Sequence, residues 1–69
     1  MRLYWRMPAL ETNTRKIVAR LEREGWVSMG GKRHEVFRHP RKSGRAVVPR
    51  HREVSPFVAR EIAKSAGWI

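Results

Sequence analysis

One of the three histidines in this chain has neighbours suited to proton transfer beside an anion. His34 directly follows Gly30, Gly31, Lys32 and Arg33. An imidazole can accept or donate a proton near neutral pH without help from a metal. Ammonium and guanidinium groups beside it can stabilise negative charge that builds up on a phosphate. The pattern favours chemistry at a phosphodiester, with His34 as general acid or base and with Lys32 and Arg33 as phosphate ligands.

The residues around His34 predict how it is positioned. Two consecutive glycines permit a chain reversal with positive φ, and a strand over residues 34–39 follows. Alternation with period two places His34 and Arg38 on one face of this strand, so that Arg38 is a further phosphate ligand. Phe37 then lies on the other face, and we interpret it as a core residue.

The other two histidines have different surroundings. His39 precedes Pro40 at the end of the predicted strand, and we interpret it as a structural residue of the turn. His51 lies between two arginines, and we expect Arg50 and His51 to contact phosphate, with simple exposure as the alternative for His51. A metal site built from the three histidines is an alternative, but the surrounding positive charge disfavours a cation. The sequence therefore predicts no metal and no cofactor.

The charge distribution favours a polyanionic partner. Sixteen Lys and Arg against six Asp and Glu give a net charge of +10 on 69 residues. Residues 32–53 alone hold eight basic and two acidic side chains, a net charge of +6. Nucleic acid is the commonest partner for such a cluster, and a merely solvated basic face is the alternative. The length predicts one domain. The absence of an apolar run of signal-peptide or membrane-spanning length predicts a soluble cytoplasmic protein without membrane contact, and the absence of cysteine is compatible with a reducing compartment.

Local signals divide the chain into two helices and three strands. Capping residues and an apolar stripe predict a helix over residues 14–24, and a second follows Ser55 and Pro56 and ends at Gly67. Strands are predicted over residues 26–29, 34–39 and 45–48, with a turn over residues 40–44. The fold class is α+β, a three-stranded antiparallel sheet with both helices on one face. Residues 1–11 form an N-terminal extension, and residues 12–69 form the domain.

Several motifs of the chain, taken together, resemble the HicA family of toxin ribonucleases. The resemblance covers about residues 12–69 and is carried by the order and spacing of four short segments: residues 23–26 (REGW), 30–40 (GGKRHEVFRHP), 47–51 (VVPRH) and 62–67 (IAKSAG). It implies a double-stranded-RNA-binding-domain-like α-β-β-β-α fold, which agrees with the order derived from the residues.

The same resemblance implies an activity and a partner. HicA-like proteins are toxins of type II toxin–antitoxin pairs that cleave mRNA without a metal, and a HicB-like antitoxin covers their catalytic histidine. That histidine falls on His34. The family has small polar residues before it, whereas this chain has Lys32 and Arg33.

We therefore expect a metal-independent endoribonuclease that acts on mRNA as a toxin. The alternative within the same fold is a non-catalytic module that binds RNA by charge and shape. A third hypothesis, of another class, is a small basic protein that docks onto an acidic partner.

Overall fold

A computed structural model describes residues 10–69. Its elements are α1 (Thr14–Arg23), β1 (Val27–Ser28), β2 (His34–His39), β3 (Lys42–Pro49) and α2 (Pro56–Ala66). The strands form one antiparallel sheet in the order β1-β2-β3. The predicted α-β-β-β-α order and fold class are thus confirmed. No helix in residues 10–69 is long and apolar enough to cross a membrane.

Most of the predicted N-terminal extension, residues 1–9, lies outside the described residues. Leu10, which does lie within them, packs against the core. The boundary between extension and domain stays a prediction.

Local capping fixes the ends of both helices. The Asn13 side chain accepts a hydrogen bond from the backbone of Lys16 at the start of α1, and the Ser55 hydroxyl does the same for Val58 at the start of α2. Pro56 occupies the first turn of α2, where its missing N–H costs nothing. Gly67 closes α2 in the left-handed conformation. These are the signals from which the sequence predicted the helices.

The core lies on one face of the sheet, and both helices cover that face. Phe37 of β2 is fully buried opposite Ala46 of β3 in the strand register. Ile17 and Leu21 of α1 and Ile62 of α2 pack into the same cluster. Since cross-strand partners point to the same side of a sheet, this arrangement leaves the face with His34 uncovered by helices. The interpretation of Phe37 as a core residue is confirmed, and Trp26 is buried in the same cluster.

The second hairpin differs from the prediction. Residues 40–44 were expected to form the turn, but only Pro40 and Arg41 do so, and β3 already begins at Lys42. His39 pairs with Lys42, whereas Arg38 pairs with Arg45, so Ser43 and Gly44 are two extra residues on β3. Gly44 adopts φ +80 within this bulge. A glycine that looked like part of the turn thus belongs to an irregular strand.

The ends of both helices and of β2 are joined on the side away from the glycine turn. Glu24 accepts hydrogen bonds from the Trp68 indole (2.7 Å) and the Arg20 guanidinium (3.0 Å). The Arg20 guanidinium carbon lies 4.1 Å from the centre of the Trp68 ring. The hydrogen bond from Trp68, followed by that from Arg20, lowers the pKa of Glu24 from its ordinary value of 4.5. We call Arg20, Glu24 and Trp68 the C-terminal clasp.

Candidate active site

The uncovered face of the sheet presents an apolar centre between two polar ends. Val36 and Val47 are cross-strand partners in the middle of this face. His34, opposite Pro49, lies at one end, while Arg38 and its partner Arg45 lie at the other. Val27 of β1, also opposite Arg38, is more than half exposed. We call this surface the open face.

His34 is exposed at the first position of β2. Its ring makes no hydrogen bond within residues 10–69, so both ring nitrogens are available to a bound molecule. Lys32 and Arg33, immediately before it, are also exposed and form no ion pair with the described residues. Three exposed side chains that can interact with an anion, an imidazole and two cations, thus follow one another at this edge of the sheet.

Gly31 fixes the path of the backbone in front of His34. Its φ is +124, a conformation that other residues rarely adopt. A β-carbon at this position would collide with the carbonyl oxygen of His34. Gly30 also has positive φ, at +84, but open space surrounds the corresponding position. The predicted glycine reversal is therefore confirmed. Of the two glycines, only Gly31 lies so close to the His34 carbonyl that no side chain fits there.

Arg50 and His51, the two phosphate ligands predicted after β3, lie in different places. The Arg50 guanidinium donates from Nε (3.0 Å) and Nη2 (2.8 Å) to the carbonyl oxygen of Gly31, so it lies at the turn before His34. His51 lines a depression at the start of α1 with Asn13 and Thr14. The structure brings Arg50 to the candidate site but places His51 beside α1.

His39 has the structural role that the sequence predicted. Its Nε2 lies 2.9 Å from the carbonyl oxygen of Glu24, and its Nδ1 accepts a hydrogen bond from the backbone N–H of Arg41 at 3.0 Å. Together these bonds require a proton on Nε2 and none on Nδ1. The ring also packs edge-on against Trp26, with 5.3 Å between centroids. His39 points to the helix-covered face and His34 to the open face, so the two cannot share one metal ion.

Metal ligands are not clustered in the described part of the chain. Residues 10–69 contain no group of three His, Asp or Glu side chains placed to hold an ion.

Sequence reasoning missed two charged residues of this region. Arg45 joins Arg38 on the open face only because of the bulge in β3, which shifts the register by two residues. Glu35 lies beneath the turn, where its carboxylate accepts a hydrogen bond from the Ser28 hydroxyl at 2.6 Å and lies 3.7 Å from Arg50. No local signal in the sequence indicated these partners of Glu35.

Comparison with known proteins identifies the family of this chain. Curated proteins provide no match to this chain. The profile of one family, described as HicA toxin of bacterial toxin-antitoxin, matches residues 14–68 and so extends from the start of α1 to the residue after the glycine that closes α2. Because this match covers most of the chain and includes the whole sheet, the protein belongs to the HicA toxin family and is the toxin component of a bacterial toxin–antitoxin system.

Proposed function

We propose that this toxin is a metal-independent endoribonuclease that cleaves mRNA in the cytoplasm, with His34 as its acid–base catalyst. The observation that carries this proposal is the exposed imidazole at the edge of a cationic sheet face, with Lys32 and Arg33 beside it. Membership of the HicA family supports it, because ribonuclease activity is general among these toxins.

The chemistry needs only groups that the chain, the RNA and solvent water supply. Attack of a ribose 2′-oxygen on the adjacent phosphorus forms one P–O bond and breaks the bond to the 5′-oxygen. Neutral His34 takes the proton from the 2′-hydroxyl while water protonates the leaving 5′-oxygen, or protonated His34 gives its proton to the 5′-oxygen while water accepts the one from the 2′-hydroxyl. Negative charge grows on the non-bridging oxygens, and Lys32 and Arg33 stabilise it. The products are a 2′,3′-cyclic phosphate and a 5′-hydroxyl.

Arg38 acts at a neighbouring phosphate rather than at the cleaved one. Four residues along a strand separate it from His34, a distance of about 13 Å at roughly 3.3 Å per residue. Arg45 lies directly across from it. Like charges in this position repel each other and destabilise the free sheet, and an RNA phosphate relieves that repulsion. We propose that Arg38 and Arg45 hold the RNA strand beyond the cleavage point.

Arg50 and His51 are the remaining proposed phosphate ligands. His51, with Arg15 and Arg52 around the same depression, would contact RNA that runs past the edge of the sheet toward α1. Two donors of Arg50 are already bonded to Gly31, which leaves part of its guanidinium for phosphate.

The antitoxin of this pair is proposed to be HicB-like and to cover His34. The open face offers it an apolar centre for packing and cationic ends for acidic side chains. Such a partner would exclude RNA from the imidazole and from Arg38 at the same time.

Incubation of the purified protein with a long RNA in EDTA tests the proposed function. The wild type is expected to cleave the RNA, and His34→Ala is expected to lower the single-turnover rate by about 100-fold or more, with RNA affinity retained. Arg60→Gln, which removes one charge from the exposed side of α2, is the control and should cleave normally.

Two other outcomes of this experiment would contradict the proposal. Binding by the wild type without cleavage would favour the non-catalytic RNA-binding module. Absence of any salt-dependent RNA affinity would favour docking to an acidic protein partner.

A further inference from the structure

The turn that precedes His34 has little packing of its own. It runs from Met29 to Arg33 between β1 and β2, and all of its residues except Gly30 are exposed. Two glycines with positive φ give it a conformation that an isolated peptide would leave freely. The position of Lys32 and Arg33 relative to His34 therefore depends on contacts made by this turn to other parts of the chain.

Arg50 makes such contacts from a position 19 residues away from Gly31. Its Nε and Nη2 both donate to the Gly31 carbonyl oxygen, at 3.0 and 2.8 Å. Its backbone N–H donates to the carbonyl oxygen of Arg33 at 3.2 Å. One residue thus holds the turn at two points, on either side of Lys32. The planar guanidinium is suited to the first contact, since lysine lacks two coplanar donors in a fixed geometry.

Glu35 and Ser28 hold the start of the turn and connect it to Arg50. The Ser28 hydroxyl accepts a hydrogen bond from the backbone N–H of Gly30 at 3.2 Å and donates to Glu35 Oε2 at 2.6 Å. Glu35 Oε1 lies 3.7 Å from Arg50 Nη1. The chain of contacts therefore runs from the Gly30 N–H through two side chains to Arg50 and back to the Gly31 carbonyl. We call Ser28, Glu35 and Arg50 the turn brace.

The carboxylate of Glu35 is informative because it opposes RNA binding. A negative charge close to a phosphate site weakens the attraction of a polyanion. Its side chain is only 23% exposed and is turned to the face opposite His34. Contact with RNA does not explain Glu35, whereas a structural role beneath the turn does.

We propose that Arg50 is a positioning residue that acts on His34 chemistry through Gly31, with Glu35 and Ser28 as its supports. This inference rests on the proposed ribonuclease function for its kinetic readout. The brace fixes the turn so that Lys32 and Arg33 meet the same phosphate as the imidazole. Without the brace, Lys32 and Arg33 keep their charges, but their side chains occupy many positions relative to His34.

Arg50→Lys separates positioning from charge. It keeps the positive charge but loses the two-donor contact with Gly31. We expect a single-turnover cleavage rate at saturating protein about tenfold lower than that of the wild type, which is a modest loss of alignment. The salt dependence of RNA affinity should stay unchanged. A phosphate ligand acting by charge would instead tolerate lysine, and a wild-type rate would overturn the proposal. Arg60→Lys is the matched control.

For Glu35→Gln, an effect of charge and an effect of positioning predict opposite changes in the cleavage rate. Removal of a negative charge should tighten RNA binding, and by charge alone it should not slow cleavage. The brace predicts slower cleavage in spite of equal or tighter binding. Cleavage at the wild-type rate or faster would contradict the brace.

Backbone order parameters from NMR relaxation test the brace without any activity measurement. In the wild type, Lys32 and Arg33 are expected near the rigid value of about 0.85, and in Arg50→Lys they are expected to fall below about 0.6, with Phe37 unchanged. If the wild type cleaves no RNA, the proposed function fails while this result still decides the role of Arg50. Ser28→Ala provides a second variant, and an unchanged turn in both variants would overturn the proposal.

Discussion

At the scale of single residues, Gly31 determines whether His34 can occupy its position. The Gly31 backbone passes so close to the His34 carbonyl that a side chain has no room there. Its neighbour Gly30 shares the positive φ but has free space around it. The two glycines therefore differ in what they contribute, although they are adjacent in the sequence.

Substitution of these two glycines by alanine should separate backbone strain from displacement of the site. Gly30→Ala is expected to cost about 1 kcal/mol, since a non-glycine residue is strained at positive φ, with a small effect on cleavage. Gly31→Ala should cost more and should lower the cleavage rate at least tenfold, because the clash moves His34 itself. Urea unfolding and single-turnover cleavage are the measurements. Equal effects of both substitutions on cleavage would contradict this reading.

The direction of His34 could be predicted from the sequence, whereas its surroundings could not. Alternation around Phe37 was enough to put the imidazole on the face opposite the core. The hydrogen bonds of Arg50 to Gly31 join residues far apart in the chain, and no local pattern encodes such a contact. Which of the two glycines is indispensable also depends on tertiary geometry.

At the scale of the elements, strand register decides which cations act together. Helix boundaries could be predicted well, because the capping residues are adjacent in sequence to the helices that they cap: Asn13 and Ser55 at the starts of α1 and α2, and Gly67 at the end of α2. The second hairpin could not, since its turn and its bulge use the same residue types in succession. The consequence is functional, because the bulge brings Arg45 opposite Arg38.

Replacement of Arg38 and Arg45 by glutamine tests the phosphate contact proposed for this pair. Each phosphate contact with single-stranded RNA contributes about 0.7 to the slope of log affinity against log salt. We expect the double variant to lower the magnitude of this slope by about 1.4, and Arg60→Gln to leave it unchanged. Relief of cross-strand repulsion should also keep the double variant at least as stable as the wild type. An unchanged slope would remove the pair from the RNA interface.

The C-terminal clasp predicts a pH-dependent contribution to stability. Folding lowers the pKa of Glu24. The ionised carboxylate therefore contributes to the free energy of unfolding above the ordinary pKa of 4.5, and this contribution is lost as the pH falls through the lower pKa of the folded protein. Because the groups are largely exposed, Glu24→Gln should cost only about 0.5–1 kcal/mol near neutral pH. In urea unfolding, the wild type and the variant should converge at strongly acidic pH. A difference that stays constant with pH would contradict this assignment.

At the scale of the whole molecule, one face of the sheet serves folding and the other is available for binding. The helices cover one face and form the core with it, while the other stays open around His34. Much of the net charge of +10 lies in residues 32–53, which supply β2, β3 and the segment after them. One surface is therefore open both to a polyanion and to the antitoxin, which we propose excludes RNA from it.

Salt should loosen the toxin–antitoxin complex if acidic side chains of the antitoxin meet this charge. We expect the dissociation constant to rise with ionic strength, because screening weakens attraction between exposed charges. A titration by calorimetry at several salt concentrations measures it. A constant indifferent to salt would indicate that the antitoxin binds elsewhere or by apolar packing alone.

The most direct test of the account compares RNA with a copy that carries 2′-deoxyribose at the cleaved position, in EDTA, for the wild type and His34→Gln. The account predicts that the wild type cuts only the RNA and leaves a 2′,3′-cyclic phosphate, and that His34→Gln binds both strands but is slower on RNA by about 100-fold or more. Cleavage of the deoxy copy, or an unchanged rate for His34→Gln, would contradict it.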